Sequence, residues 1–152
     1  MKFYTLAFYL GRKKDNPSAT WLDRIICFFS KSPYSHVELV MDEFENANYC
    51  LCIAASPRDG GVRTAFINLK SGHWHLYRVA GEDDVLEIAK AHLHKKYDFF
   101  GAVCSLFDIA PARMSKMFCS KLIAICFRLE NPQHYTPQEL VETLDLRRID
   151  ND

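Results

Sequence analysis

The chain reads as an α+β protein in which an antiparallel strand meander packs against helices, and three observations predict this. Short β-favouring runs bounded by turn residues fill the first half. Helical spacing of apolar residues takes over after Asp84. The 152 residues, 49% hydrophobic and 25% charged, match the average for a globular protein and predict a single domain over 1–152.

Phe3 to Leu10 is an aromatic and aliphatic run closed by Gly11 and the turn-rich segment Arg12-Lys13-Lys14-Asp15-Asn16-Pro17. Thr20 then offers an N-cap, with Asp23 three residues on as its capping-box partner. Trp21, Leu22, Ile25, Ile26 and Phe29 recur at helical spacing until Ser32-Pro33 ends the run. His36 to Met41 begins with strand alternation, and a polar loop from Asp42 to Asn48 leads to a second strand, Tyr49 to Ala55. Ser56-Pro57-Arg58-Asp59-Gly60-Gly61 is a turn, followed by strands at Val62–Ile67 and Trp74–Val79.

Val85, Ile88, Ala89 and Leu93 then form the stripe of an amphipathic helix ending near Lys96. A further apolar helical stretch follows Tyr97 to Gly101 and is interrupted at Pro111. A buried helix is predicted from Cys119 to Phe127. Thr136-Pro137, an N-cap followed by proline at the first helical position, opens a short last helix.

Charge narrows the function. Nineteen basic and nineteen acidic residues give a formal net charge of zero, which argues against a polyanionic partner. The short clusters Arg12-Lys13-Lys14 and His94-Lys95-Lys96 read as solvated surface, and no glycine-rich phosphate loop joins a strand to a helix. Nucleic acid is therefore not an expected partner, and no apolar stretch is long enough to predict integral membrane association. Met1 to Thr5 reads as the opening of a strand rather than a signal peptide. The six cysteines are accordingly expected to be reduced thiols in a cytoplasmic protein.

Two positions invite chemistry. His36 begins a strand directly after Ser32-Pro33-Tyr34-Ser35, and a strand would hold its ring rigidly. Cys119 stands at a predicted helix start, where unpaired amides and the positive end of the helix dipole favour thiolate and could hold an oxyanion. A small core residue is the alternative reading of the same cysteine.

The order of local words then carries a resemblance. Ser-Pro-Tyr-Ser-His-Val-Glu-Leu-Val from Ser32, Ser-Pro-Arg-Asp-Gly-Gly-Val-Arg from Ser56, Lys-Tyr-Asp-Phe-Phe-Gly from Lys96 and Phe-Cys-Ser-Lys-Leu from Phe118 follow one another over most of the chain. Together they resemble the circularly permuted papain-like (NlpC-type) cysteine hydrolases, including YiiX-like proteins and the lecithin retinol acyltransferase group, and small members from bacteriophages and bacteria in particular. The resemblance implies Cys119 as nucleophile and His36 as base. It also implies a third polar residue on the next strand to orient the imidazole. Hairpin pairing places Ser56 there, with Asp59 in the turn as the alternative. Tyr34, two residues before His36, is expected either to donate to the oxyanion or to pack as an aromatic lid. Glu38 shares a strand face with His36 and is expected to line the groove or to be solvated. Ser120 and Asp59 are further candidates for substrate contact. Lys121 replaces the glutamate that often follows Cys-Ser in such families and would favour the thiolate.

Zinc is the rival reading for Cys50, Cys52, His73 and His75, but one-residue gaps match no familiar ligand spacing; no metal and no cofactor is expected. The expected function is an amidase- or peptidase-type hydrolase acting on an amide, peptide or ester. The alternatives are an acyltransferase of the same fold and an inactive binding module.

Overall fold

The computed structural model describes residues 1–11, 20–42, 48–109 and 115–149. Its strands are β1 (Lys2–Leu10), β2 (Tyr34–Asp42), β3 (Tyr49–Ser56), β4 (Gly61–Asn68), β5 (Trp74–Gly81), β6 (Lys96–Tyr97), β7 (Lys116–Met117) and β8 (Arg147–Ile149). Its helices are α1 (Trp21–Phe29), α2 (Val85–Ala91), α3 (Phe99–Ser105), α4 (Cys119–Cys126) and α5 (Pro137–Thr143), with a 3-10 turn at Pro132–His134. The strands form one sheet of order β7-β6-β4-β3-β2-β1-β5-β8, antiparallel except for the β6–β7 pair.

The first four strands follow the expected meander. The fifth does not: β5 returns to the far side and pairs along the whole of β1, from Tyr9 opposite Trp74 to Lys2 opposite Gly81. The β1 edge left open by the meander is thus covered, and β8 adds a short strand outside it. Neither β6, β7 nor β8 is long enough to produce a period in the sequence, and none was expected from it.

Alternation divides the sheet into two faces. Tyr4, Leu6, Phe8, Val37, Leu39 and Ile53 pack with Val85, Ala89, Leu122, Ile123 and Leu140 in the main core, between the sheet and the helices. Ala7, Val40, Cys52 and Leu69 form a smaller cluster, bordered by Ile67, Trp74 and Leu76. α4 lies against β2 and β3, and α1 against β2. The main core carries most of the burial, so truncating Leu122 to alanine would cost about 2–5 kcal/mol.

Helix ends follow the local chemistry. Thr20 and Asp23 form the capping box of α1, and Thr136 with Glu139 forms that of α5. α2 is shorter than its apolar stripe suggests. It ends at Ala91, and His94, with a left-handed φ of 69°, turns the chain so that Lys96 can pair with Gly61. Pro111 and the turn at Arg12–Pro17 lie outside the described residues, as does most of the loop from Asp42 to Asn48. The six cysteines form no disulfide, and among the described residues no helix is long and apolar enough to cross a membrane.

Gly61 is where the sheet admits β6. A Cβ there would stand 2.2 Å from the Lys95 carbonyl oxygen, which is backbone and cannot swing aside. Gly61→Ala should therefore lower stability by about 1–3 kcal/mol, seen as a fall of several degrees in the thermal midpoint. An unchanged midpoint would mean that the β4–β6 approach is not as close as described.

Candidate active site

The site begins with an irregularity in β2. Tyr9 pairs with His36 but Leu10 pairs with Tyr34, so Ser35 is an extra residue, a β-bulge. Without it Tyr34 and His36 would share a face. With it Tyr34 turns into the main core, against Phe8 at 5.3 Å between ring centroids, while His36 faces the opposite way beside Trp74. The Tyr34 hydroxyl is held by His75 Nδ1 and the Tyr77 hydroxyl, each at 2.8 Å. The expectation of Tyr34 as an oxyanion donor is thus corrected, because the bulge aims it elsewhere.

The bulged Ser35 is itself held. Its hydroxyl donates to Asp23 Oδ1 at 2.8 Å, while Asp23 Oδ2 accepts from the Thr20 amide at 2.7 Å. One carboxylate therefore caps α1 and ties it to the strand position preceding His36.

His36 is held by Glu38 and faces Cys119. Its Nε2 lies 2.9 Å from Glu38 Oε1, and the Cys119 side chain is near enough to act on the ring's ionisation. With Nε2 engaged, Nδ1 is the nitrogen available to the sulfur. Cys119 is the first residue of α4, with Phe118 as its N-cap. Sequence position alone thus foretold the helix start that brings this thiol to the imidazole.

Glu38 is more than a groove residue. Only 1% exposed, it receives Arg63 Nη1 on Oε2 at 2.8 Å and Arg63 Nη2 on Oε1 at 2.6 Å. Arg63 Nε donates to Asp59 Oδ2 at 3.0 Å. Sequence reasoning missed the Glu38 role and gave Arg63 none, although the i, i+2 spacing of His36 and Glu38 carried the signal.

Ser56 occupies its expected place: Leu39 pairs with Ile53 and Val40 with Cys52, and continuing that register sets Ser56 opposite His36. It does not orient the ring, however. Its hydroxyl accepts from the Asp59 amide at 3.4 Å, and Glu38 already fills Nε2. Asp59 likewise meets Arg63 rather than His36. Ser120 is buried and donates to the Tyr135 carbonyl at 2.6 Å, which ties α4 to the following turn instead of offering a substrate contact. The buried Lys121 ammonium donates to the Lys116 carbonyl at 2.9 Å, so it anchors β7.

The electrostatics follow from this geometry. Burial alone would push the His36 ring down, but the charge and hydrogen bonds of Cys119 and Glu38 outweigh it and raise its pKa to about 10. Burial would push the Glu38 carboxyl up, yet hydrogen bonds from Arg63 and His36 hold it below the ordinary carboxylate value. Tyr97, buried near Cys119, Asp23 and Asp98, is raised by burial and then by these groups, so its phenol stays neutral.

A cavity of about 330 Å³ opens beside His36 and Glu38, with Tyr9, Leu22, Ile67 and Trp74 as apolar walls. Cys119 is 3% exposed and faces a smaller pocket. Ile26, Ser35 and Tyr97 line both spaces and stand between them. Of the residues considered for zinc, His75 is bound to Tyr34 on the helix-covered face, and Cys52 packs in the opposite cluster.

No protein-family model matches the chain, and no curated protein sequence matches it. Among solved structures, the chain is similar to the crystal structure of metalloprotein yiiX from Escherichia coli O157:H7 (DUF1105). The TM-score is 0.62 at 16% identity, covering 99% of this chain and 97% of that one. Among the described residues here, no group of three or more His, Cys, Asp or Glu side chains is arranged to hold a metal ion. The Glu38 oxygens already accept from a guanidinium and an imidazole, so a cation would have to displace Arg63; the donor set does not fit a metal. At this identity the likeness concerns the fold: the chain has a yiiX-like α+β architecture with an open sheet.

Proposed function

We propose that the protein is a cysteine hydrolase of amidase or peptidase type, with a permuted papain-like arrangement in which the histidine strand precedes the nucleophile helix. The observation that carries this reading is the His36 ring, hydrogen-bonded to the Glu38 carboxylate and near enough to the Cys119 side chain for the two to influence each other's ionisation. Nucleophile, base and orienting group are the minimal set for thiol acyl transfer.

In this reading His36 holds the proton of the Cys119 thiol. The thiolate attacks the carbonyl carbon, and the carbonyl electron pair moves to oxygen. The unpaired amides at the start of α4 receive that oxyanion, with the neutral Tyr97 phenol as a further donor. Collapse expels the leaving amine or alcohol, which takes the His36 proton. Water, deprotonated by His36, then cleaves the thioester, releasing the acid and restoring the thiol–imidazole pair. Glu38 takes the orienting role that Ser56 was expected to fill.

A second reading, a binding module without turnover, is favoured by one observation: Cys119 is nearly covered and Ile26 stands between it and the cavity.

Alkylation separates the two. In the hydrolase reading iodoacetamide should modify Cys119 at least about tenfold faster than the other thiols near pH 7, and His36→Ala should abolish the difference. Ile26→Ala, which thins the partition, should speed the reaction further. Equal rates at all six cysteines, unchanged by His36→Ala, would sink the nucleophile assignment.

The imidazole gives a second check. In Cys119→Ser the sulfur's influence is gone while Glu38 remains, so the NMR midpoint of the ring should fall from about 10. The stability arm has a definite sign. A raised histidine contributes fully below about 6.5 and loses that contribution as pH rises through about 10. The lowered Glu38 contributes above the ordinary carboxylate range and loses its share as pH falls through its folded value. His36→Ala should therefore flatten the alkaline decline of the denaturation midpoint. A wild type whose midpoint rises between about pH 7 and 10 would contradict the assignment.

A further inference from the structure

Among the described residues, a dense set of paired charges stands apart from the nucleophile. It belongs to Glu38, Arg63 and Asp59, which come from β2, β4 and the turn between β3 and β4. Their arrangement follows from sheet register. Ala7 pairs with Glu38, and Ala54 pairs with Arg63. Continuing the β2–β3 register from Leu39–Ile53 and Val40–Cys52 sets Glu38 opposite Ala54. One row across four strands thus reads Ala7, Glu38, Ala54, Arg63.

The two alanines matter because they are small. Arg63 starts two strands away from Glu38 and can reach it only by passing over the intervening residue on β3. Ala54 is fully buried and offers a single methyl group there, which leaves room for the arginine stem. The guanidinium then closes a bidentate fork on both carboxylate oxygens, a geometry that fixes the carboxylate plane as well as its place. The third nitrogen position, Nε, is taken by Asp59, so the fork is anchored at its base. Charge alternates along the chain of contacts: Asp59, Arg63, Glu38 and the ring of His36.

We propose that Arg63, anchored by Asp59, is a positioning residue for the imidazole: it acts through Glu38 to hold His36 in its working orientation. This rests on the reading of His36 as the base for Cys119. Without the fork the buried carboxylate would keep the His36 ring as its partner on Oε1 alone, leaving Oε2 and the carboxylate plane unheld. It would take up a proton or move, and either change removes the acceptor at His36 Nε2. Lysine cannot replace the fork, because an ammonium is a point charge without the planar pair of donors. Arg63 is fully engaged with Glu38 and Asp59, so it does not serve as a binding group for a substrate carboxylate.

The test uses the full chain in four forms: wild type, Arg63→Lys, Arg63→Met and Asp59→Asn. Two readings are taken on each, the NMR titration of His36 and the pH profile of Cys119 alkylation by iodoacetamide. In Arg63→Met the His36 midpoint should drop by at least about one unit, and alkylation near neutral pH should slow about tenfold. Arg63→Lys should recover only part of this. Asp59→Asn changes an exposed carboxylate and is expected to stay folded; it should shift both readings in the same direction by a smaller amount. If Arg63→Met fails to fold, Arg63→Lys and Asp59→Asn decide alone. A His36 titration identical to wild type in these variants overturns the proposal. Failure of the hydrolase reading is distinguishable: it would show as an unreactive Cys119 in the wild type, while the His36 titration still reports on Arg63.

Discussion

A carboxylate at 1% exposure is the constraint from which the rest of the site follows. Removing a charge from water costs several kcal/mol unless partners replace the lost hydration. Glu38 therefore requires donors, and it has two: a bidentate guanidinium and an imidazole nitrogen. That requirement sets conditions on residues that never touch a substrate. Arg63 must be on the strand beyond β3, the residue between must be small, and the register must keep both on one face. A slip of one residue would bring Val37 or Leu39 to that position and aim Glu38 into the helix-covered core. The main core, which is large and apolar, locks the register. The polar row in turn uses that lock to hold three charged side chains.

The same logic explains why the nucleophile arrives from a helix and not from the sheet. α4 packs Leu122 and Ile123 into the main core, so its position is fixed by the part of the protein with most buried apolar surface. Its first residue then lies at the N-terminal end of the helix, next to the sheet. α1 is tied to this arrangement through Asp23, which joins the Thr20 cap to Ser35. Ser35 is also the bulge. One extra residue thus turns Tyr34 into the core, aims His36 out of it and provides the hydroxyl that secures α1.

Much of this was legible in the sequence, for reasons tied to particular residues. The long strands, the capping box of Thr20 with Asp23 and the Thr136 N-cap could be read because their signals are local: alternation, a hydroxyl followed three residues later by a carboxylate, or a hydroxyl followed by proline. Cys119 and His36 stood out for the same reason, at a helix start and a strand start. Glu38 was seen on the right face but read as lining the groove or as solvated, and its 1% exposure corrects the second reading; alternation gives a face and not a partner. Arg63 was invisible because its partner is twenty-five residues away and its reach depends on Ala54, whose significance appears only once strands pair. Tyr34 as an oxyanion donor and Ser56 as the orienting group failed for two different reasons. A bulge leaves no mark in composition, so period two was applied across Ser35 where it does not hold. Ser56 sits where hairpin pairing put it, but position opposite a ring is not contact with it when a stronger acceptor is nearer. The return of β5 to β1 was hidden too, because the strand pattern does not say which edge a later strand will choose.

The burial of Cys119 looks at first like an argument against chemistry, and the energetics of its cover decide how much weight it bears. Ile26 of α1 and Tyr97 share that cover with residues of α3 and α5. α1 has nine residues, too few for an independent helix, and buries only Leu22, Ile26 and Cys27 while Trp21, Phe28 and Phe29 remain exposed. An element with so few buried contacts opens at a free energy well below that of global unfolding. α4, by contrast, is buried along nearly its whole length and cannot move without the main core. The thiol, the imidazole and their supporting charges therefore sit on rigid elements, while Ile26, one of the residues between Cys119 and the cavity, belongs to the softer helix. That division suits a site that must be preorganised and yet admit a substrate. It places the difference between a hydrolase and a silent binding module in how readily Ile26 and its helix yield, since the charged row behind His36 is the same in both.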